Sequence, residues 1–248
     1  MNTDKGNPVV AVEECPGYRR RELVDALSRC FEPFGGMGHY IKSGDRVLLK
    51  PNMLSAKAPE RAITTHPMVI ETVAMMVRDL GAVPFIGDSP GGVLRGVRRV
   101  WDNTGIGEMA DKNNIELVSF EASGSREIEA EGYRFYVANP VLEADRIINL
   151  AKLKTHTLTL LTAAVKNMFG VVPGFRKSVQ HKMFPKPGEF AEMLVELYRT
   201  VTPDFSIVDA VLAMEGNGPS SGEPRELNLL LAGEDGVAVD AVAADIIG

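Results

Sequence analysis

The sequence predicts an α/β fold, with a mainly parallel sheet flanked by helices, an inserted β-hairpin and a long basic flap. Three observations predict it. Short β-rich runs alternate with helical patterns along most of the chain, as parallel strands joined by crossover helices require. The run over 146–150 is apolar almost throughout, the mark of a strand covered on both faces. Of 248 residues, 45% are hydrophobic and 24% charged, enough for a sizeable core that needs neither disulfides nor metal. That length suits one α/β domain over 1–248.

Residues 8–14 read as the first strand, 21–31 as a helix and 45–50 as the second strand. A helix over 67–80 starts on Pro67 and presents Val69, Val73, Met76, Val77 and Leu80 on one side. A strand over 82–87, a helix over 94–103 and a strand over 115–120 follow. Two short runs around Glu131-Gly132 make 126–137 a β-hairpin insertion. After the strand at 146–150, Leu158, Leu161, Val165 and Met168 mark one side of a helix that Thr155 or Thr157 would cap. Pro173, Gly174, Pro185, Pro187 and Gly188 make 171–188 a flap with little regular structure. A helix over 190–198 and strands over 205–210 and 227–232 complete the order. The chain stops at Gly248 directly after an amphipathic pattern over 237–247, which reads either as a fragment of a longer protein or as a final helix with a Gly cap.

Charge is unevenly placed. The formal net charge is -6, yet between Asp145 and Glu189 there is no acidic residue, while Arg146, Lys152, Lys154, Lys166, Arg176, Lys177, Lys182 and Lys186 fall there with His156 and His181. A focused positive field in an acidic protein attracts a small anion and disfavours nucleic acid and membrane; the alternative is a solvated lysine face. Cys15 and Cys30 form no CxxC pattern and suit a reducing cytoplasm. His39, His66, His156 and His181 are too scattered for a zinc site, and two cysteines cannot hold an iron–sulfur cluster, so no metal ligand set is expected within this chain. No P-loop, dinucleotide fingerprint or nucleophile elbow is present.

Several polar clusters fall directly after the expected strands: Lys50-Pro51-Asn52, Asp88-Ser89-Pro90-Gly91-Gly92, Lys152-Leu153-Lys154-Thr155-His156 and Asp209. In open α/β sheets the ligand crevice lies at that edge, so residues distant in sequence converge there. Lys50, Asn52, Ser89, Lys152 and Lys154 are candidate ligand-binding residues, the lysines reinforced by the start of the helix expected after them. Lys166 and Asn167 would point back into the crevice, and Lys177 and His181 would ride on the flap as a lid. His66 and His156 are acid/base candidates that Asp88 or Asp209 would orient, a helix-capping role being the alternative for His66. Glu215 is a candidate acid beside the Gly216–Gly222 loop.

Lys50-Pro51-Asn52, Thr65-His66-Pro67, Gly87-Asp88-Ser89-Pro90-Gly91, the run from Asn149 to His156, Lys166-Asn167-Met168-Phe169-Gly170 and Met214-Glu215-Gly216-Asn217-Gly218-Pro219 together resemble the family called domain of unknown function 362. Members often continue into a ferredoxin-like iron–sulfur domain, so the resemblance implies a link to anaerobic redox metabolism and a ferredoxin-like domain or protein as partner. Thr65-His66-Pro67-Met68 and Gly174-Phe175-Arg176-Lys177-Ser178-Val179 also look like two segments of the lactate racemase family. That likeness would make His66 a base and Lys177 the anchor of a nickel pincer cofactor, although Phe175 stands where the family has a glycine. The function expected is therefore a cytoplasmic α/β protein that binds a carboxylate- or phosphate-bearing metabolite and acts on it by acid/base chemistry. The alternatives are a nickel-pincer racemase-like enzyme and a non-catalytic docking partner of an iron–sulfur protein.

Overall fold

The structure is a computed structural model and describes residues 7–91 and 96–248. At its centre five strands run parallel because each is reached by a crossover. They are β2 (Arg46–Pro51), β3 (Val83–Asp88), β4 (Glu116–Ser119), β7 (Arg146–His156) and β9 (Phe205–Glu215). With β1 (Ala11–Glu14), β10 (Glu223–Gly233) and β8 (Leu160–Thr162) they form one sheet, ordered β1-β10-β9-β7-β2-β3-β4 with β8 paired to β7; β10 and β8 run opposite to the five, and β1, antiparallel to β10, runs with them.

Strand alternation sends neighbouring side chains to opposite layers. Val47, Leu49, Ile148, Leu150 and Ile207 enter the core beneath α1 (Arg20–Phe31), α2 (Pro67–Asp79), α3 (Val97–Asn103) and α4 (Ile106–Lys112). Leu48, Phe85 and Ile147 enter a second core with Phe135 and Val137 of the hairpin β5 (Ser125–Ala130) and β6 (Tyr133–Ala138), and with Phe190 and Met193 of α8 (Pro187–Thr200). A third, small-residue core packs Ala151, Val208, Ala210 and Leu231 against Val239 and Ala243 of α9 (Gly236–Ile247).

Most expected elements are present with shifted ends. The hairpin turn is Glu131-Gly132, both at positive φ (49° and 79°), the mirror-image turn that matches strand twist. Its strands form their own two-stranded sheet, apart from the main one. Of the helix expected over 94–103, residues 94 and 95 lie outside the described residues, as does Gly92 of the Gly-rich cluster. Short helices α4 and α5 (Asn139–Glu143) had no separate periodic signal.

Two expectations are overturned. No helix begins after Thr155 or Thr157: β7 runs on to His156, turns at Leu160 (φ 61°) and returns as β8. The helical spacing of Leu158, Leu161, Val165 and Met168 was coincidental, since Leu161 packs in the α9 core and the others in the α8 core. Threonines at 155, 157 and 159 favour extended chain, and what remains helical is α6 (Ala164–Asn167) and a 3-10 turn over Met168–Val171. The flap over 171–188 is likewise not irregular. It contains α7 (Arg176–Met183), which the Gly and Pro residues bracket without entering. Arg176 ties α7 down, stacking 4.1 Å over the Tyr136 ring and donating to Ser125 Oγ at 2.8 Å.

Phe205 holds the α1 side of the core, its ring 4.4 Å from Phe31 and 5.1 Å from both Phe34 and Tyr40. Phe205→Ala is expected to cost about 3–5 kcal/mol, read as a lower urea midpoint with an unchanged m-value; an unchanged midpoint would show that this aromatic cluster does not support the core.

Candidate functional site

The same alternation that builds the cores divides the basic window between two faces. Lys50 shares parity with Leu48 and so lies on the α8 side, while Lys152 shares parity with Ile148 and Leu150 and lies beneath α1 and α2. Both are fully buried, and each meets a carboxylate. Lys50 Nζ is 2.9 Å from Asp88 Oδ1, and Lys152 Nζ is 2.8 Å from Asp209 Oδ2. Burial lowers the pKa of both amines, and the paired carboxylate opposes that shift in each.

Around Lys152-Asp209 the polar groups satisfy one another. Tyr18 Oη donates to Asp209 Oδ1 at 2.8 Å and accepts from Lys152 Nζ and the Leu212 N–H, both at 3.1 Å. The His66 N–H donates to Asp209 Oδ2 at 3.0 Å, His66 Nδ1 accepts from the Met68 N–H at the start of α2, and the ring stacks 3.6 Å from Tyr18. His66 is thus a helix cap held in a closed network, and it does not line the cavity described next. Asp209 and Lys152 lie inside strands that extend past them, not at the strand ends where they were expected.

On the other face, a cavity of about 160 Å³ opens at the carboxyl ends of β2 and β3, lined by Asn52, Asp88, His156, Lys166, Lys177 and His181 among others. Asp88 is already committed: Lys50 faces one oxygen, and the Met53 N–H donates to the other at 2.8 Å. Gly170 lets the backbone pass directly against this pair, since a Cβ there would sit 2.7 Å from Lys50 Nζ and closer still to Asp88 Oδ1. A carboxamide chain braces the cavity floor. Lys154 Nζ donates to Asn52 Oδ1 at 2.7 Å and Ile63 O at 2.6 Å, Asn52 Nδ2 to Asn167 Oδ1 at 2.9 Å, and Asn167 Nδ2 to Asn149 Oδ1 at 2.7 Å. Lys154 has no carboxylate partner among the described residues, and burial with Lys166 and Lys152 nearby lowers its pKa well below the usual lysine value.

Two lysines face the cavity from α6 and α7. Lys177 Nζ donates to Ser89 O at 2.6 Å and to Ser89 Oγ, which in turn donates to Glu121 Oε1 and accepts from the Gly174 N–H. Lys166 Nζ lies 5.0 Å from the Phe169 ring centre and 5.7 Å from that of Phe190, with no hydrogen-bond acceptor among the described residues. Burial lowers both amines to about 8. His156 Nδ1 accepts from the N–H groups of Leu158 and Thr159 at 3.1 and 3.3 Å, which places the neutral ring's proton on Nε2. His181 stacks on Phe190 with ring centres 4.4 Å apart. Burial first, then neighbouring lysines, lowers both imidazoles to about 4, so each is neutral at pH 7.

The helix expected to start beside Lys154 and His156 does not form, and the first turn of the short helix α6 is taken by the protein's own carboxylate. Asp240 of α9 accepts from the N–H groups of Ala164 and Val165 at 2.5 and 3.1 Å. Glu215 is exposed and lies in a separate recess with Lys154, Thr155 and Arg225. Sequence reasoning overlooked Tyr18 and Glu121. Glu121 was within reach, because it follows a strand end just as Asn52 and Asp88 do; Tyr18 lies in a loop before α1 and carried no signal.

The profile of a family described as "Domain of unknown function (DUF362)" matches residues 47–245. The chain is 40% identical over 241 residues to a thylakoid-associated protein of Synechocystis sp., covering 96% of this chain and 74% of the relative. Its fold is similar to that of the lactate racemase apoprotein from Thermoanaerobacterium thermosaccharolyticum, with a TM-score of 0.54 at 9% identity. That match covers 94% of this chain, which spans about half the length of the racemase chain (51%). No helix of the described residues is long and apolar enough to cross a membrane.

Lys50→Met is expected to destabilise the fold by about 3–5 kcal/mol, because it strands the Asp88 carboxylate without its countercharge. Lys50→Met/Asp88→Asn should recover part of that loss in thermal denaturation, whereas an equal loss would make packing the cause. His66, His156 and His181 all have folded pKa values of about 4, below the ordinary 6.5. Between those values the unfolded chain binds the extra protons, so stability should fall as pH drops from about 6.5 towards 4. Urea midpoints measured at pH 7 and 5 check this, and unchanged midpoints would show that the imidazoles titrate normally.

Proposed function

The chain belongs to the family described as domain of unknown function (DUF362), and we propose that it binds a small anionic metabolite, carboxylate- or phosphate-bearing, and acts on it by acid/base chemistry. One observation carries this reading. Among the described side chains lining the cavity, Asp88 is the one carboxylate, and Lys50 matches it, so Lys166 remains as unmatched positive charge beside Lys177, whose charge Asp88 and Glu121 support. His156 offers Nε2–H as a donor to the anion. His181 is the base candidate, because a bound anion raises its lowered pKa back towards neutrality. Lys177, held by Ser89 and near neutrality in pKa, is the acid that can return a proton.

Nickel-pincer chemistry fits these residues poorly. His66, the base which the racemase likeness assigns, does not share a cavity with Lys177. The proton on His156 Nε2 occupies the nitrogen a metal would need. A cytoplasmic setting accompanies the proposed function, consistent with Cys15 and Cys30 being buried and free.

A second reading, docking of an acidic ferredoxin-like partner, draws on the outer side of α7. There Phe175, Val179 and Met183 are exposed at helical spacing beside Arg176 and Lys182. Association through that surface should weaken steeply with salt, and binding indifferent to salt would count against it.

For the metabolite reading, calorimetric titration with inorganic phosphate and with lactate is the test. A charge-assisted hydrogen bond contributes about 1.5–3 kcal/mol, so Lys166→Met should weaken binding roughly tenfold to a hundredfold, while exposed Lys112→Met should not. Amide exchange in α7 should slow when the anion binds, with β7 slow throughout. Identical affinity in Lys166→Met, or α7 exchange indifferent to the anion, would overturn the reading.

A further inference from the structure

The two cavity lysines are not equivalent. Lys177 has acceptors at Ser89 O and Oγ, and Asp88 and Glu121 favour its charged form. Lys166 has no carboxylate acting on it: Lys177 and Lys50 oppose its charge, and burial opposes it more strongly. The aromatic faces of Phe169 and Phe190 favour an ammonium, while burial and the neighbouring lysines lower the amine to about 8. A desolvated lysine beside a second cation is the arrangement that makes an amine nucleophilic at neutral pH.

We propose that Lys166 is a Schiff-base-forming nucleophile whose substrate is an anionic aldehyde or ketone, such as a 2-oxo acid. The inference rests on the anion-binding reading and adds the reacting group. Lys177 and His156 Nε2–H hold the carboxylate or phosphate, which leaves the carbonyl carbon for Lys166 Nζ. The amine lone pair forms the C–N bond as the carbonyl π pair moves to oxygen. The oxygen is protonated and leaves as water, and nitrogen loses its protons to give the imine. Amine and carbonyl give imine and water, with no redox partner required. The protonated imine then withdraws electrons from the adjacent carbon, where neutral His181 shares the cavity as a base.

The test treats the full chain with glyoxylate and sodium cyanoborohydride, followed by intact mass and peptide mapping. One reduced adduct per chain is expected on Lys166, suppressed by excess phosphate, with a rate rising to half-maximum near pH 8. Lys166→Arg keeps the charge but cannot form the adduct. It should lose the label, while exposed Lys112→Met keeps both the label and the parent chain's phosphate affinity. Phosphate binding without selective labelling of Lys166, including labelling spread over surface lysines or centred on Lys177, overturns the Schiff-base role and leaves the anion site standing. Absence of both phosphate binding and labelling overturns both proposals.

Discussion

The buried ion pair of Lys50 and Asp88 is the constraint on which the site depends. Two charges removed from water carry a large desolvation cost that mutual attraction barely offsets, so such a pair is weak as a source of stability but strict about geometry. Here the strictness is visible on every side. β2 and β3 are adjacent parallel strands, so their ends bring the two residues together. The Met53 N–H takes the second carboxylate oxygen. Gly170 supplies the space, and any side chain there would press against both charges. With Asp88 neutralised, the charge facing the cavity is that of the lysines, which follows from the pairing rather than from the number of cations nearby.

The second ion pair, Lys152 with Asp209, serves a different purpose. Tyr18, the Leu212 N–H and the His66 N–H occupy its remaining hydrogen-bonding capacity. A network closed in this way joins α1, α2, β7 and β9 but offers nothing to a ligand. A carboxamide chain links Asn52 through Asn167 to Asn149, beside Lys50. It ties the floor of the cavity to α6, which carries Lys166. In turn α9, through Asp240, fixes the first turn of α6. Burial raises the Asp240 carboxyl to about 7, although the two backbone N–H groups it accepts from favour its charged form.

The alternation of strands and helices, the parallel core, the hairpin at Glu131-Gly132 and the concentration of cations between Asp145 and Glu189 were all legible in the chain, because each depends on local period or composition. The same local reasoning misread two segments. Residues 158–168 carry a helical spacing, yet pairing of Lys154, Thr155 and His156 with β8 keeps 160–162 extended. Residues 176–183 stand among prolines and glycines, yet anchoring through Lys177 and Arg176 makes them a helix.

Sequence by itself determined the fold class, the carboxyl edge as the place where Lys50, Asn52, Asp88 and Ser89 gather, and the excess of positive charge near them. Tertiary structure alone decided which lysines are paired with carboxylates and which line the cavity. The physical reason is that side-chain parity becomes a statement about faces only when the register between strands is known. The offset pairing Lys50 with Asn149, not with Lys152, places Lys50 and Lys152 on opposite sides of one sheet. Burial then separates them further, since Lys50 and Lys152 each meet a carboxylate, whereas Lys166 has aromatic rings and other cations as neighbours among the described residues.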